Sequence, residues 1–192
     1  MKILICGDSF AADWTVKYKG IGWPNLLAQE HNVTNLAQAG CSEYKIYKQI
    51  MSQNLDNYDV IIVSHTSACR WYIEVPHPVH YADPLHKNSD LIYTDLEEHN
   101  KFRSGLSSIL HFFNKFYSIE YADFIHELIS DRIHSITNKK KVLHLTHIDM
   151  LYTFNVINFS NVFKEHRGIM NHYNDVGNHI VFERIRKELI GK

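Results

Sequence analysis

Lys2-Ile3-Leu4-Ile5-Cys6-Gly7-Asp8-Ser9 is a short apolar run that stops at a glycine and two polar residues. A run of this length bounded by a turn signal reads as a buried strand. In an α/β sheet, loops and helix N-termini converge at the carboxyl ends of the strands, so Ser9 stands where such folds place ligands and nucleophiles. The same three residues equally suit an ordinary strand-to-helix bend, with Gly7 permitting the turn and Asp8 or Ser9 capping the next helix. The rest of the chain has to separate these readings.

Working outward, Trp23 to Glu30 reads as a short helix with Pro24 in its first turn, and Val33 to Ala37 as a second strand. Glu43 to Leu55 carries Ile46, Ile50 and Met51 at helical spacing, and Asp59 to Ser64 is the plainest buried strand of the chain. This βαβαβ order predicts an α/β protein with a central parallel sheet and helices on both faces, a three-layer α/β/α architecture. From about 71 to 100 the pattern fails: Pro76, Pro78 and Pro84 interrupt a stretch rich in His, Asp and Tyr, which reads as an irregular, packed, lid-like insertion. Residues 101–137 read as a long helical region, with Phe102, Leu106, Ile109, Phe113 and Phe116 on its apolar face and a break expected within Ser118 to Ala122. Val142 to Ile148 reads as a fourth strand, with a short fifth near Phe154 to Ile157. Asn174 or Asp175 is placed to cap a final amphipathic helix carrying Ile180, Val181, Ile185 and Leu189.

Composition narrows the function. The chain has 192 residues, 45% apolar and 21% charged, enough for a single domain over 1–192 with a sizeable core. Lys and Arg total 20 against 21 Asp and Glu, and the balance of -1 argues against nucleic acid as a partner. Cys6, Cys41 and Cys69 are too scattered for a disulfide framework and fit reduced thiols. The apolar run before Gly7 is shorter than a secretory signal, and no run approaches membrane-spanning length, so a cytoplasmic protein away from membranes is the expectation.

The 14 histidines are unusual. His77, His80 and His86 fall together in the insertion, but without cysteines or paired carboxylates in metal-ligand spacing they read as solvated or packing imidazoles, and no metal is expected. His144 and His147, three apart on a strand, point to opposite faces. The Gly7-Asp8-Ser9 turn lacks the repeated glycines of a dinucleotide site, and Asp8 would repel a pyrophosphate, so no cofactor is implied.

Three further segments add weight to Ser9. Asn35-Leu36-Ala37-Gln38-Ala39-Gly40 puts a glycine past the second strand, where backbone can approach a ligand. Ser64-His65-Thr66-Ser67 brings hydroxyls to the end of the third strand, and Asn171-His172-Tyr173-Asn174-Asp175 puts a histidine ahead of the last helix. In this order, the four pieces resemble the SGNH or GDSL hydrolase superfamily. The resemblance implies a flavodoxin-like fold, with Ser9 as nucleophile, the backbone N–H groups of Ser9 and Gly40 as oxyanion donors and His172 as base. The activity it implies is ester hydrolysis on a small-molecule or carbohydrate O-acyl ester.

The departures from that family are specific. Where it carries an Asn after the third strand, this chain offers only the hydroxyls of Thr66 or Ser67 to complete an oxyanion hole. Where it carries an Asp three residues before the histidine, this chain has Ile169. That leaves a Ser-His dyad, or an atypical triad using Asp175 or Asp149. His179, four residues after Asp175 and sharing its helix face, is the rival base. Asp8 is assigned to holding the nucleophile turn. Arg70, Trp71 and Tyr72 are expected to line the pocket, the aromatics as an acyl or sugar platform. The alternative function is a catalytically reduced domain that binds a glycan or a partner protein.

Overall fold

The computed structural model describes residues 1–100, 106–168 and 172–191. Its strands are β1 (Lys2–Gly7), β2 (Asn32–Asn35), β3 (Val60–Ser64), β4 (Lys141–Thr146) and β5 (Ile157–Asn158). They form one all-parallel sheet in the order β2-β1-β3-β4-β5. The helices are α1 (Trp23–Glu30), α2 (Glu43–Met51), α3 (Tyr93–Asn100), α4 (Ser107–Phe116), α5 (Ile119–Thr137), α6 (Ser160–Glu165) and α7 (Asp175–Ile190).

Period-two alternation in β1 assigns the layers. Ile3 and Ile5 face one side with Ile62 and Leu145, packing on Trp23 and Leu27 of α1 and Val181, Ile185 and Leu189 of α7. Leu4 and Cys6 face the other with Ile61 and Val63, packing on Ile46 and Ile50 of α2 and Ile133 of α5. Both faces of the central strands are covered, which is why they read as unbroken apolar runs rather than alternating ones. The fold is a three-layer α/β/α sandwich.

Gly7 is needed for a different reason from the bend that its position suggested. It pairs with Ser64 across β1 and β3, and a Cβ on Gly7 would lie 2.5 Å from the Ser64 Cβ. Close strand approach demands the glycine. Gly40 does adopt the left-handed region, at φ +73°, and a Cβ there would meet the Ser89 side chain.

Two expectations are corrected, and the break expected within Ser118 to Ala122 falls at the start of that range. The insertion ends earlier than expected, because Tyr93–Asn100 is helix α3, a polar helix that buries only a narrow stripe through Leu96. The long helical region is two helices, broken at Tyr117 and Ser118, where the Ser118 hydroxyl caps α5 by accepting the Tyr121 N–H. Phe102 lies outside the described residues. Helix α2 stops at Met51, and a separate 3-10 turn, Leu55–Asn57, is capped by Asn54.

The insertion is packed. Val79, Leu91, Leu96, Leu106, Leu110 and Phe113 form a cluster of their own beside the sheet. Its ends meet: Trp71 and Leu91 exchange backbone hydrogen bonds of 2.8 and 2.9 Å. Next to that bridge the buried Asp90 carboxylate accepts the N–H of Ser42 at 2.7 Å and of Ile73 at 3.1 Å and pairs with Lys45 at 2.6 Å, tying the insertion to α2. Among the described residues, no helix is long and apolar enough to cross a membrane.

Candidate active site

Ser9 sits in the turn after β1, and hydrogen bonds to three successive main-chain carbonyls hold that turn. The Ala11 N–H reaches the Asp8 carbonyl at 3.1 Å, while the indole N–H groups of Trp14 and Trp23 donate to the carbonyls of Ser9 and Phe10, each at 2.7 Å. On the opposite wall, Asn174 caps α7 by accepting the Gly177 N–H, and the residues just before it are folded back by a 2.6 Å bond from the Gly168 N–H to the His172 carbonyl. Ser9 and His172 thereby line one cavity of about 250 Å³, together with Phe10, Trp14, Lys19 and Tyr173. The His172 ring lies against Trp14, with centroids 4.2 Å apart, and against Phe10 at 5.0 Å.

Of the candidate acids, Asp175 lines this cavity as the first residue of α7. Asp149 is at the surface, paired with Lys164 at 2.6 Å, and does not line it. His179 points to solvent from α7; Asn178 is the residue of that turn in the cavity wall. Ile169 lies outside the described residues.

Asp8 is buried behind the turn. Its Oδ1 accepts the Phe10 N–H at 3.0 Å and the Ser64 hydroxyl at 3.3 Å. Ser64 Oγ also lies 3.1 Å from His147 Nε2, and His147 Nδ1 lies 2.6 Å from the Tyr173 hydroxyl. A buried chain thus runs from the Ser9 turn to the wall carrying His172. Burial pushes the Asp8 carboxyl up to about 6, against the opposing pull of the Arg70 charge and of its hydrogen bonds. Burial, then the nearby His172 and His65, pushes His147 down to about 3, so its ring is neutral at pH 7. Phe10 stacks flat on His147 at 4.6 Å.

Gly40, Thr66 and Ser67 are not among the residues lining the Ser9 cavity. The Thr66 N–H is committed to Glu43 at 3.2 Å, and its hydroxyl acts on Asp8. Ser67 bonds Cys69 and, with Arg70, Trp71 and Tyr72, lines a second cavity of about 330 Å³ walled by α2 and α5. Gly40 is covered by the insertion: Ser89 Oγ–H donates to the Ala39 carbonyl and the Asp90 N–H to the Gly40 carbonyl. Residues 70–72 therefore form a pocket wall, but of the neighbouring cavity rather than the one containing Ser9.

Sequence reasoning missed the polar core beneath that second cavity. Glu43 Oε1 lies 2.5 Å from His65 Nδ1, His65 Nε2 lies 3.0 Å from His144 Nδ1, and His144 Nε2 lies 3.2 Å from His134 Nδ1. His126 adds a second contact to Glu43 at 3.4 Å. Burial alone would raise the Glu43 carboxyl, but the His65 and His126 imidazoles overturn this and hold it well below the usual carboxylate range. Burial likewise opposes the charged form of His126, and the Glu43 carboxylate more than offsets it, so that pKa is raised. A histidine inside an apolar strand, as His144 is within Val142-Leu143-His144-Leu145, was the available signal: its side chain must face a core and needs a partner there.

As for relatives, no protein-family model matches the chain, and a search of curated proteins finds no match either.

Proposed function

We propose that the chain is a serine esterase or acyl hydrolase of SGNH type, acting on a small or carbohydrate O-acyl ester. The observation that carries the reading is the shared cavity of Ser9 and His172 at the carboxyl edge of a parallel sheet, one residue from the turn after β1 and the other from the approach to α7. In this mechanism His172 takes the Ser9 hydroxyl proton, Ser9 Oγ attacks the ester carbonyl, and the protonated imidazole returns the proton to the leaving alcohol. Water, deprotonated by the same imidazole, then attacks the acyl carbon, and the imidazolium returns that proton to Ser9 Oγ as the acid leaves. The backbone N–H of Ser9 is the donor offered to the developing oxyanion, and Lys19 adds a positive charge to the cavity wall.

One observation favours a second reading, a catalytically reduced domain binding a glycan or a partner protein: Thr66 is committed to Glu43 and Asp8, and Gly40 is covered by Ser89. A fluorophosphonate probe, run beside a p-nitrophenyl acetate assay, separates the two. The esterase reading expects labelling and turnover in the native protein and loss of both in Ser9→Ala. Folded native protein that neither labels nor turns over ester supports the binding domain instead.

A further inference from the structure

The cavity walled by α2 and α5 shares no lining residue with the Ser9 cavity. Tyr44, Trp71, Tyr121, Ile125 and Ile129 surround the side chain of Arg70 there, so the wall is largely apolar and aromatic. Tyr44, Trp71 and Tyr121 are 40, 38 and 56% exposed, and aromatic surface left open along a concave site marks a place for a ligand. The wall is also held in position. Trp71 is fixed by its backbone bridge to Leu91 and packs edge-on to Phe112 at 5.3 Å, while Tyr72 packs edge-on to Tyr44 at 4.8 Å and accepts a 2.7 Å hydrogen bond from Lys48.

Arg70 is the charge in this wall that the fold leaves unanswered. The residue is partly buried and its Nε is buried without a partner; among the described residues its guanidinium makes no hydrogen bond and no ion pair. Asp8 feels the Arg70 charge at a distance, yet burial still pushes its carboxyl up to about 6, and its Oδ1 is engaged by Phe10 and Ser64. A close cationic partner would have pulled that carboxyl down. Glu43, the other charge in the wall, is already engaged, through Oε1 with His65 and through Oε2 with the Thr66 N–H and His126. A guanidinium carries five N–H donors and no acceptor, so one left unpaired beside an apolar cavity recruits an anion.

We infer that this cavity binds a one-ring aromatic carboxylate, an arylalkanoate, with its carboxylate on Arg70 and its ring among the aromatic side chains of the wall. The planar guanidinium presents parallel N–H groups to the two carboxylate oxygens, and with Nε sealed off the terminal Nη groups are the donors that meet them. Aromatic walls favour a flat ring through stacked and edge-on contacts. A volume of about 330 Å³ lies at the small end for ligand sites and sets the size at a single ring. Arg70 repels a cationic ligand, and a bare inorganic anion would leave the aromatic surface uncovered.

The test is isothermal titration calorimetry of the full chain with 3-phenylpropanoate and with its neutral isostere 3-phenylpropanamide, beside the change in tryptophan emission as Trp71 is covered. The expected result is one saturable site per chain, with a Kd below about 1 mM for the carboxylate and binding of the amide weaker by about 10- to 100-fold. Arg70→Gln should bring the carboxylate down to the affinity of the amide and leave amide binding as it was. Arg70→Lys, which keeps the charge without the planar fork, should retain part of the preference. Ser9→Ala should bind as native protein does, because the two cavities are separate. Absence of saturable binding, equal affinity for acid and amide in native protein, a preference for the acid that survives Arg70→Gln, or weakened binding in Ser9→Ala would each overturn the assignment. Loss of both ligands in Arg70→Gln that Arg70→Lys does not reverse would overturn it as well. None of these readouts depends on ester hydrolysis, so the esterase reading stands or falls separately.

Discussion

The Trp14 indole N–H donates to the Ser9 carbonyl oxygen at 2.7 Å while the same ring packs 4.2 Å from His172. One side chain thereby sets the spacing between the two walls of the cavity. Trp14→Phe keeps an aromatic face but removes the donor. It is expected to lower the rate of fluorophosphonate labelling about 10- to 100-fold, because small displacements of reacting groups carry penalties of that order. The stability loss should be only about 1 kcal/mol, the net worth of a hydrogen bond. A urea melt beside the labelling time course checks both numbers.

Gly7→Ala tests the closeness of β1 to β3. The added methyl would stand 2.5 Å from Ser64 Cβ and 2.9 Å from the Ser64 carbonyl oxygen, with both strands buried. A loss of about 3 kcal/mol in denaturant unfolding is expected, at the upper end for overpacking. A substitution costing less than about 1 kcal/mol would mean the strands separate easily there.

Glu43→Gln removes the charge that answers His65 and His126 in the interior. The expected cost at pH 7 is about 3 kcal/mol, the lower end for breaking a buried ion pair. Because the Glu43 pKa is lowered in the fold, its contribution is fully present above about pH 4.3 and drains away as pH falls below that. The stability gap between native protein and Glu43→Gln should therefore narrow in acid, measured as paired urea midpoints across pH.

Acid stability is set by groups pulling in opposite directions. His77 is pushed down to about 4, and His144 and His147 to about 3, in each case chiefly by burial. Unfolding frees these rings to take up protons, so their contribution to stability falls as pH drops below about 6.5. Asp8, pushed up to about 6, has the opposite sign: the fold holds its proton more tightly, and stability falls as pH rises through about 4 to 6. Asp8→Asn keeps an acceptor for the Phe10 N–H and is expected to stabilise the protein by about 2 to 3 kcal/mol at pH 8. The same change should steepen the loss of stability between pH 6 and pH 4. Chemical denaturation of both proteins over that range reads it directly.

What could be read from the chain followed from local rules. The apolar runs of β1 and β3 and the Pro24 start of α1 each encode their own element, and the Trp23–Glu30 helix lies where the sequence places it. The cavity-lining serine and histidine flank such elements and were legible for the same reason. What escaped depends on tertiary geometry. Asp95 was hidden in a polar stretch whose helix is held by Leu96 and the insertion core, so its meeting with His80 has no trace in local spacing. Arg70, Trp71 and Tyr72 follow β3 closely in sequence, yet the chain turns toward α2 and α5 and carries them to the neighbouring cavity.

The closed bridge between Trp71 and Leu91 clamps both ends of the stretch it encloses. Loop-closure entropy rises only by roughly 0.6 kcal/mol for each doubling of length, so with both ends clamped the exposed part of the enclosed segment, around Val75 and Pro76, can lengthen at little thermodynamic expense to the sheet. Lys17 reaches across to Asp83 within that segment, from the same loop that supplies Trp14 and Lys19 to the Ser9 cavity. An insertion at Val75-Pro76 thus offers an engineer a way to add to the outside of the segment while Asp90, Ser89 and the strands that hold Ser9 stay as they are.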